Sequence, residues 1–167
     1  KTHRSGAYTL VHGFGLLYTI PSIAFFVLMP LILGTSIISP VNVLVALTIY
    51  TMALMVRSGV DAFNAVPEHV VESSRALGYT PARAFFTVEL PLALPVLFAG
   101  IRVATVANIA MVSVGAVIGV SSLGTLFTDG LARSIPAELI TGVVLSAVLA
   151  YLADALLALT ARRLTAW

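Results

Sequence analysis

The sequence predicts an all-α, polytopic membrane helix bundle, and three observations carry that prediction. Apolar residues make up 59% of the 167 and charged residues only 10%, against about 25% charged in a soluble domain. Mean hydropathy is +1.06. The apolar residues also collect into four runs, with the positive charges concentrated on alternate connections. A soluble core of this size has no room for so much apolar surface, so the chain belongs in a lipid bilayer.

A helix needs about 20 residues to cross a hydrocarbon core of ~30 Å. The first candidate span covers residues 10–33 and is interrupted at Ile20-Pro21-Ser22. Pro21 removes a backbone donor there and predicts a kink. The second covers 41–56, which is short but uncharged; the third covers 92–120 and the fourth 137–161. Residues 34–40 read as a tight turn. Residues 119–136 read as a longer connection, with Gly119, Gly124, Gly130 and Pro136 as breakers. The whole of 1–167 is expected to form one transmembrane domain, without repeats.

Orientation follows from the positive residues. Lys1, Arg4, Arg57, Arg75, Arg83, Arg162 and Arg163 share one side of a four-span arrangement. That side is read as cytoplasmic, with both ends of the segment there. Arg133 lies on the other side and Arg102 within a span. Lys1 stands where an initiator methionine is expected, and no cleavage site follows, so the segment is expected to begin inside a longer protein.

Several classes are disfavoured at this point. The chain has no cysteine, hence no disulfide or thiolate metal site. Net charge is +2 with no basic run, so no nucleic-acid partner is expected. His3, His12 and His69 are scattered without metal-ligand spacing. Lys1 is the only lysine, so no Gly-rich loop ending in Gly-Lys-Ser/Thr exists and this chain is not expected to bind ATP. An intramembrane protease lacks a paired nucleophile and base, or a second buried acid. Secondary transporters and channels show paired repeats or filter loops, and none is evident.

The polar insert at 57–91 stands out from this background. Pro67-Glu68 reads as a helix start, with Glu68 beside the positive dipole end. The helix is expected to reach Leu77, with Gly78 as a left-handed stop and with Val66, Val70, Ser73 and Leu77 on one face. Thr80-Pro81 then restarts a helix as cap and first residue. The insert is therefore expected to be two short helices against the membrane, either a plain amphipathic connector or a docking element for a soluble partner.

Glu72-Ser73-Ser74, three residues, Gly78, nine residues, then Val88-Glu89-Leu90-Pro91 resembles the Glu-Ala-Ala loop of ABC importer permeases. That pattern is Glu-Ala-Ala, three residues, Gly, nine residues, Ile-x-Leu-Pro; serines at 73 and 74 and Val88 depart from it. "YTIPSIAFFVLMP", "GIRVATV" and "GAVIGVSSLG" resemble the osmoprotectant branch, which carries glycine betaine, choline, carnitine or proline betaine. The resemblance implies a type I importer permease in a bacterial or archaeal cytoplasmic (inner) membrane. It also implies a cytoplasmic ATP-binding subunit dimer, holding the ATP and Mg that this chain does not. A second permease subunit, identical or paralogous, and an extracytoplasmic solute-binding protein complete the set. Glu72, Ser73, Ser74, Ala76 and Gly78 would contact the ATPase, and Leu90 and Pro91 would set the angle of the third span. Other small-solute importers share the loop. The family usually has at least one further span before this point.

Within the membrane Arg102 is the costliest residue, and Asp154 is the only acid well inside another span. The two either tie helices together or line the translocation path. Arg102, Thr105 and Asn108 recur at three-residue steps as a polar stripe, read as packing glue or as a water-facing path. Gly142, Ser146 and Ala150 form a small-residue packing face leading towards Asp154. Tyr18 and Tyr50 read as packing aromatics before they read as π-faces for a quaternary ammonium group.

Overall fold

The computed structural model describes residues 22–165 of the chain. The described residues hold helices and turns and no strand. The helices are α1 (Ser22–Leu33), α2 (Pro40–Asn64), α3 (Glu68–Ala76), α4 (Pro81–Ala84), α5 (Leu90–Val114), α6 (Thr125–Ala132) and α7 (Pro136–Leu164). The expected kink at Pro21 and the first half of the first span, 10–21, lie outside the described residues; Ile23–Leu33 is a short apolar helix.

Among the described residues three helices are long and apolar enough to cross a membrane: Pro40–Asn64, Pro81–Ile118 and Pro136–Leu164. The 25 residues of α2 make a rod of about 37 Å, longer than the ~30 Å hydrocarbon core. α2 thus runs past the expected end of its apolar run, carrying Arg57 and Asp61 in its last turns before stopping at Asn64.

The insert departs from the expected pair of separate helices. Only α3 stands apart. α4 leads through a π-turn, Phe85–Glu89, directly into α5. Pro91 explains the widened turn. It has no N–H and its ring crowds the carbonyl one turn back, and just ahead of it the Leu90 N–H reaches back five residues to the Phe85 carbonyl. A π-bulge is a common way to absorb such a fault without ending a helix. Phe85 stacks on Phe63 of α2, centroids 5.5 Å apart, holding the entry of α5 against the exit of α2.

α5 is the central post, packed on α2 along one side and α7 along another. Its seam with α2 is built from small residues. Ala53, Ala62, Ala93 and Ala104 are buried, and a Cβ on Gly100 would lie 2.6 Å from that of Ser58. Membrane helices associate through such close backbone approach, because lipid tails remove the hydrophobic gain of burying larger side chains.

At the other end of α2 the core contains Phe26, Met29, Val43, Ala46, Leu47 and Val120. Asn42, wholly buried, clamps the turn between α1 and α2. Its Nδ2 donates to the Ser36 carbonyl at 2.8 Å, and its Oδ1 accepts from the Thr35 hydroxyl.

The connection at 119–136 is more than a loop. Gly119, at φ 87°, ends the 3-10 turn Gly115–Ile118 as its breaker role predicts. Gly124 and Gly130, however, are contact points of a packed helix. A Cβ on Gly124 would sit 1.9 Å from the Ser113 carbonyl oxygen, and one on Gly130 2.8 Å from the Leu139 nitrogen. α6 lies in this way across α7, with Gly142 beneath Leu126 and Phe127. The expected small-residue face at Gly142, Ser146 and Ala150 does turn inward.

Candidate functional site: a projecting helix and an intramembrane ion pair

α3 carries the first group of site residues. Glu68 occupies its first turn and Arg75 its last, each at the favourable dipole end. Gly78, at φ 85°, stops it. The Gly78 and Tyr79 N–H groups bond back to the carbonyls of Arg75 (2.9 Å) and Ser74 (3.2 Å), so the helix ends with its last carbonyls satisfied. Thr80 caps the next helix, its hydroxyl accepting from the Arg83 N–H at 3.4 Å, and the Arg83 guanidinium lies 4.5 Å over the Tyr79 ring. Both helix punctuations are where the sequence places them.

The faces of α3 are not. Ser74 is turned inward, 6% exposed, and its hydroxyl donates to the Val71 carbonyl, so it is not a surface contact. Of Val66, Val70, Ser73 and Leu77, expected on one face, Val66 and Val70 are half-buried but Ser73 is exposed and Leu77 is 79% exposed. The helix ends at Ala76, so Leu77 is the cap residue just beyond it and is not held on the helical face. Glu72, Ser73, Ala76 and Gly78 are exposed together on the projecting surface, whereas Leu90 and Pro91 are half-buried at the root of α5. Behind α3 an open space of about 400 Å³ is lined by Glu68, Glu72, Arg75 and Glu89 among others. No group of three or more His, Cys, Asp or Glu among the described residues could hold a metal ion.

The second group lies in the spans. Arg102 and Asp154 meet across α5 and α7. Nε donates to Oδ1 and Nη2 to Oδ2, each at 2.7 Å. This bidentate fork is the strongest geometry available to such a pair. The side chains remain 39% and 30% exposed. Asn108 faces elsewhere, donating its amide to the Thr51 hydroxyl on α2 at 2.7 Å. Thr105 donates to the Ile101 carbonyl of its own helix. The expected stripe therefore splits. Three-residue steps precess by about 60° each on a helix of 3.6 residues per turn, so Arg102 and Asn108 point about 120° apart, towards different neighbours. Thr51 was not legible as a site residue. Its only signal is that it is polar at mid-depth in an uncharged run.

This chain belongs to the family described as binding-protein-dependent transport system inner membrane component, whose model matches residues 10–166. It is accordingly a multi-pass inner-membrane protein. It is 40% identical over 145 residues to the osmoprotectant import permease protein OsmW of Salmonella typhimurium, covering 85% of this chain and 67% of that one. Similarity to the glycine betaine/carnitine/choline transport system permease protein OpuCB of Bacillus subtilis is 30% over 162 residues, covering 97% and 73%. The ergothioneine transport permease/ergothioneine binding protein EgtU of Helicobacter pylori is 36% identical over 138 residues; the match spans 83% of this chain but 24% of that protein. Among solved structures, the inward-facing MetNI methionine ABC transporter superposes with a TM-score of 0.79 at 27% identity, covering 91% of this chain and 72% of the other.

Proposed function

We propose that this chain is the membrane-spanning permease subunit of an ATP-driven importer for a small compatible solute of the glycine betaine, choline, carnitine or proline betaine class. The carrying observation is the exposed surface of Glu72, Ser73, Ala76 and Gly78 on a helix that projects from an otherwise apolar bundle. A plain connector has no need of a separate helix with satisfied ends. The names of the relatives support the solute class, one being an osmoprotectant import permease and another a glycine betaine/carnitine/choline permease.

In this reading α3 seats on a cytoplasmic ATP-binding subunit dimer that holds ATP and Mg. A second permease subunit, identical or paralogous, completes the path, and an extracytoplasmic solute-binding protein delivers the solute. In this reading both ends of the segment and the connection between α2 and α5 lie in the cytoplasm, which the distribution of arginines supports. Because α4 and the π-turn are continuous with α5, a push on α3 is transmitted to the central post through a short, capped link.

Crosslinking in membranes tests this. Ser73→Cys places a thiol on the exposed face, in a chain with no other cysteine. The expected result is capture of a coexpressed ATP-binding subunit, changing with nucleotide. A thiol that reacts only with water-soluble reagents would return the insert to a bare connector. A second reading, an importer for another small solute such as an amino acid, draws on the likeness to the methionine transporter. Uptake competition between glycine betaine and methionine separates the two.

A further inference from the structure

The Arg102–Asp154 pair does not close on itself. Among the described residues it is the one ion pair, and it opens onto a trough of about 530 Å³ lined by Ala99, Arg102, Val103, Val106, Ala107 and Asp154. That volume lies in the range of small-molecule sites, roughly 300–1,000 Å³. A second hollow of about 320 Å³ shares Ala99 and Val103 with it and adds Val96, Arg57 and Asp61. Val96 to Ala107 is about 16 Å of helix axis. One side of α5 thus forms an apolar wall with a basic and an acidic group at each end. Arg57 and Asp61 are both exposed and make no ion pair with each other.

The geometry of the first station leaves hydrogen-bonding capacity unused. Asp154 engages Nε and Nη2, and the Nη1 amino group has no partner among the described residues. Lipid cannot satisfy those donors, and an exposed charge pair facing hydrocarbon is strongly disfavoured. The trough therefore does not face lipid; water, a polar solute or a neighbouring protein surface fills it. A cation alone would leave the guanidinium edge unbonded and add an uncompensated charge to the span. An anion alone would add one of the other sign. A molecule bearing a carboxylate and a cationic nitrogen a few bonds apart meets both. Its carboxylate accepts from the free guanidinium edge, and its cationic head lies over the outer lone pairs of Asp154 and the methyls of Val103 and Val106.

We propose that the Arg102–Asp154 pair is a solute-contacting station in this trough, selective for zwitterions such as trimethylammonium carboxylates over choline. The proposal rests on the permease reading and narrows its solute class. Glycine betaine and carnitine carry both groups; choline lacks the carboxylate. The ion pair stays formed while the solute is bound, so Asp154 orients Arg102 rather than being displaced.

The test uses the complete transporter in lipid vesicles with Ala99→Cys, an exposed position at the trough that makes none of the proposed solute contacts. Maleimide labelling of this subunit is timed with glycine betaine, with choline and with neither. At ten times its dissociation constant, glycine betaine should slow labelling about tenfold, since that is the remaining free fraction, and choline should not. Arg102→Lys in the same background keeps an ion pair to Asp154 but lacks the second amino edge, and should abolish the protection with assembly intact. Equal labelling with and without glycine betaine overturns the proposal, as does undiminished protection in Arg102→Lys. ATP-driven uptake is read in the same vesicles. Uptake without protection removes the station and leaves the importer; protection without uptake removes the importer and leaves the station.

Discussion

Asn108 on α5 donates its side-chain amide to the hydroxyl of Thr51 on α2 at 2.7 Å, and that hydroxyl donates in turn to the Leu47 carbonyl at 2.7 Å. The link bridges the centres of two membrane helices otherwise joined by alanine and glycine contacts. Hydrogen bonds of this kind contribute about 0.6 kcal/mol in membrane proteins, with a maximum near 1.7. Asn108→Leu and Thr51→Val should each destabilise the purified protein within that range. The double variant should cost no more than the larger single change, because both remove the same bond. Thermal unfolding in detergent reads the cycle, and full additivity would show that the bond contributes nothing.

The ion pair between α5 and α7 makes a different prediction, about assembly. Asp154→Leu leaves the Arg102 guanidinium in the span without its partner, which is worse than having neither charge. Inserted protein should fall for the single change, by up to about a hundredfold where the ~3 kcal/mol cost of a lone intramembrane charge is felt in full. The double change Arg102→Leu with Asp154→Leu should restore much of it. Quantifying the membrane-integrated protein decides the point, and equal loss in single and double variants would show that each residue acts alone.

The crossing of α6 and α7 predicts an asymmetric response to glycine substitution. A Cβ at Gly142 would lie 2.8 Å from the Leu126 Cβ and from the Phe127 ring, so Gly142→Val should cost about 1–3 kcal/mol by overpacking. It should also expose Thr125–Ala132 to solvent-borne reagents. Gly59, within α2, meets nothing within 4 Å. There Gly59→Ala should stabilise by up to about 1 kcal/mol, the difference in helix propensity. Denaturation of the two variants side by side checks both signs.

Gly78→Pro separates insertion from function. Gly78 holds φ at 85° and donates its N–H to Arg75; proline can do neither. The spans are untouched, so membrane insertion should be normal while transport is abolished. Gly78→Ala should be milder, since a single left-handed alanine costs about 1–2 kcal/mol. Wild-type uptake by the proline variant would remove α3 from the transport cycle.

Much of the architecture was legible in the residues because the solvent is so restrictive. In hydrocarbon a helix satisfies a long apolar stretch from within itself, so α5 and α7 follow from apolar run length, whereas α2 runs on past its short apolar run to Asn64. Capping chemistry is equally local, and Gly78, Thr80 and Pro81 act where the sequence puts them. Harder to read were features set by contact. The inward turn of Ser74 and the exposure of Leu77 depend on where α3 meets α4 and the π-turn. The glycines at 124 and 130 carry the same local signal whether they break a helix or allow another helix to approach.

The sequence by itself determined the bilayer as solvent, the helical class, the polar insert with its two punctuated ends, and the residue types placed at membrane depth. Only the tertiary structure decided which of those residues meet. Arg102 pairs with Asp154 across 52 positions of chain and Asn108 with Thr51 across 57. The sequence-level stripe became two separate contacts because α5 has a different neighbour on each side. Periodicity specifies the direction of a side chain about its own axis, but its partner depends on how rigid helices pack, and that is settled by close approach at alanines and glycines far along the chain.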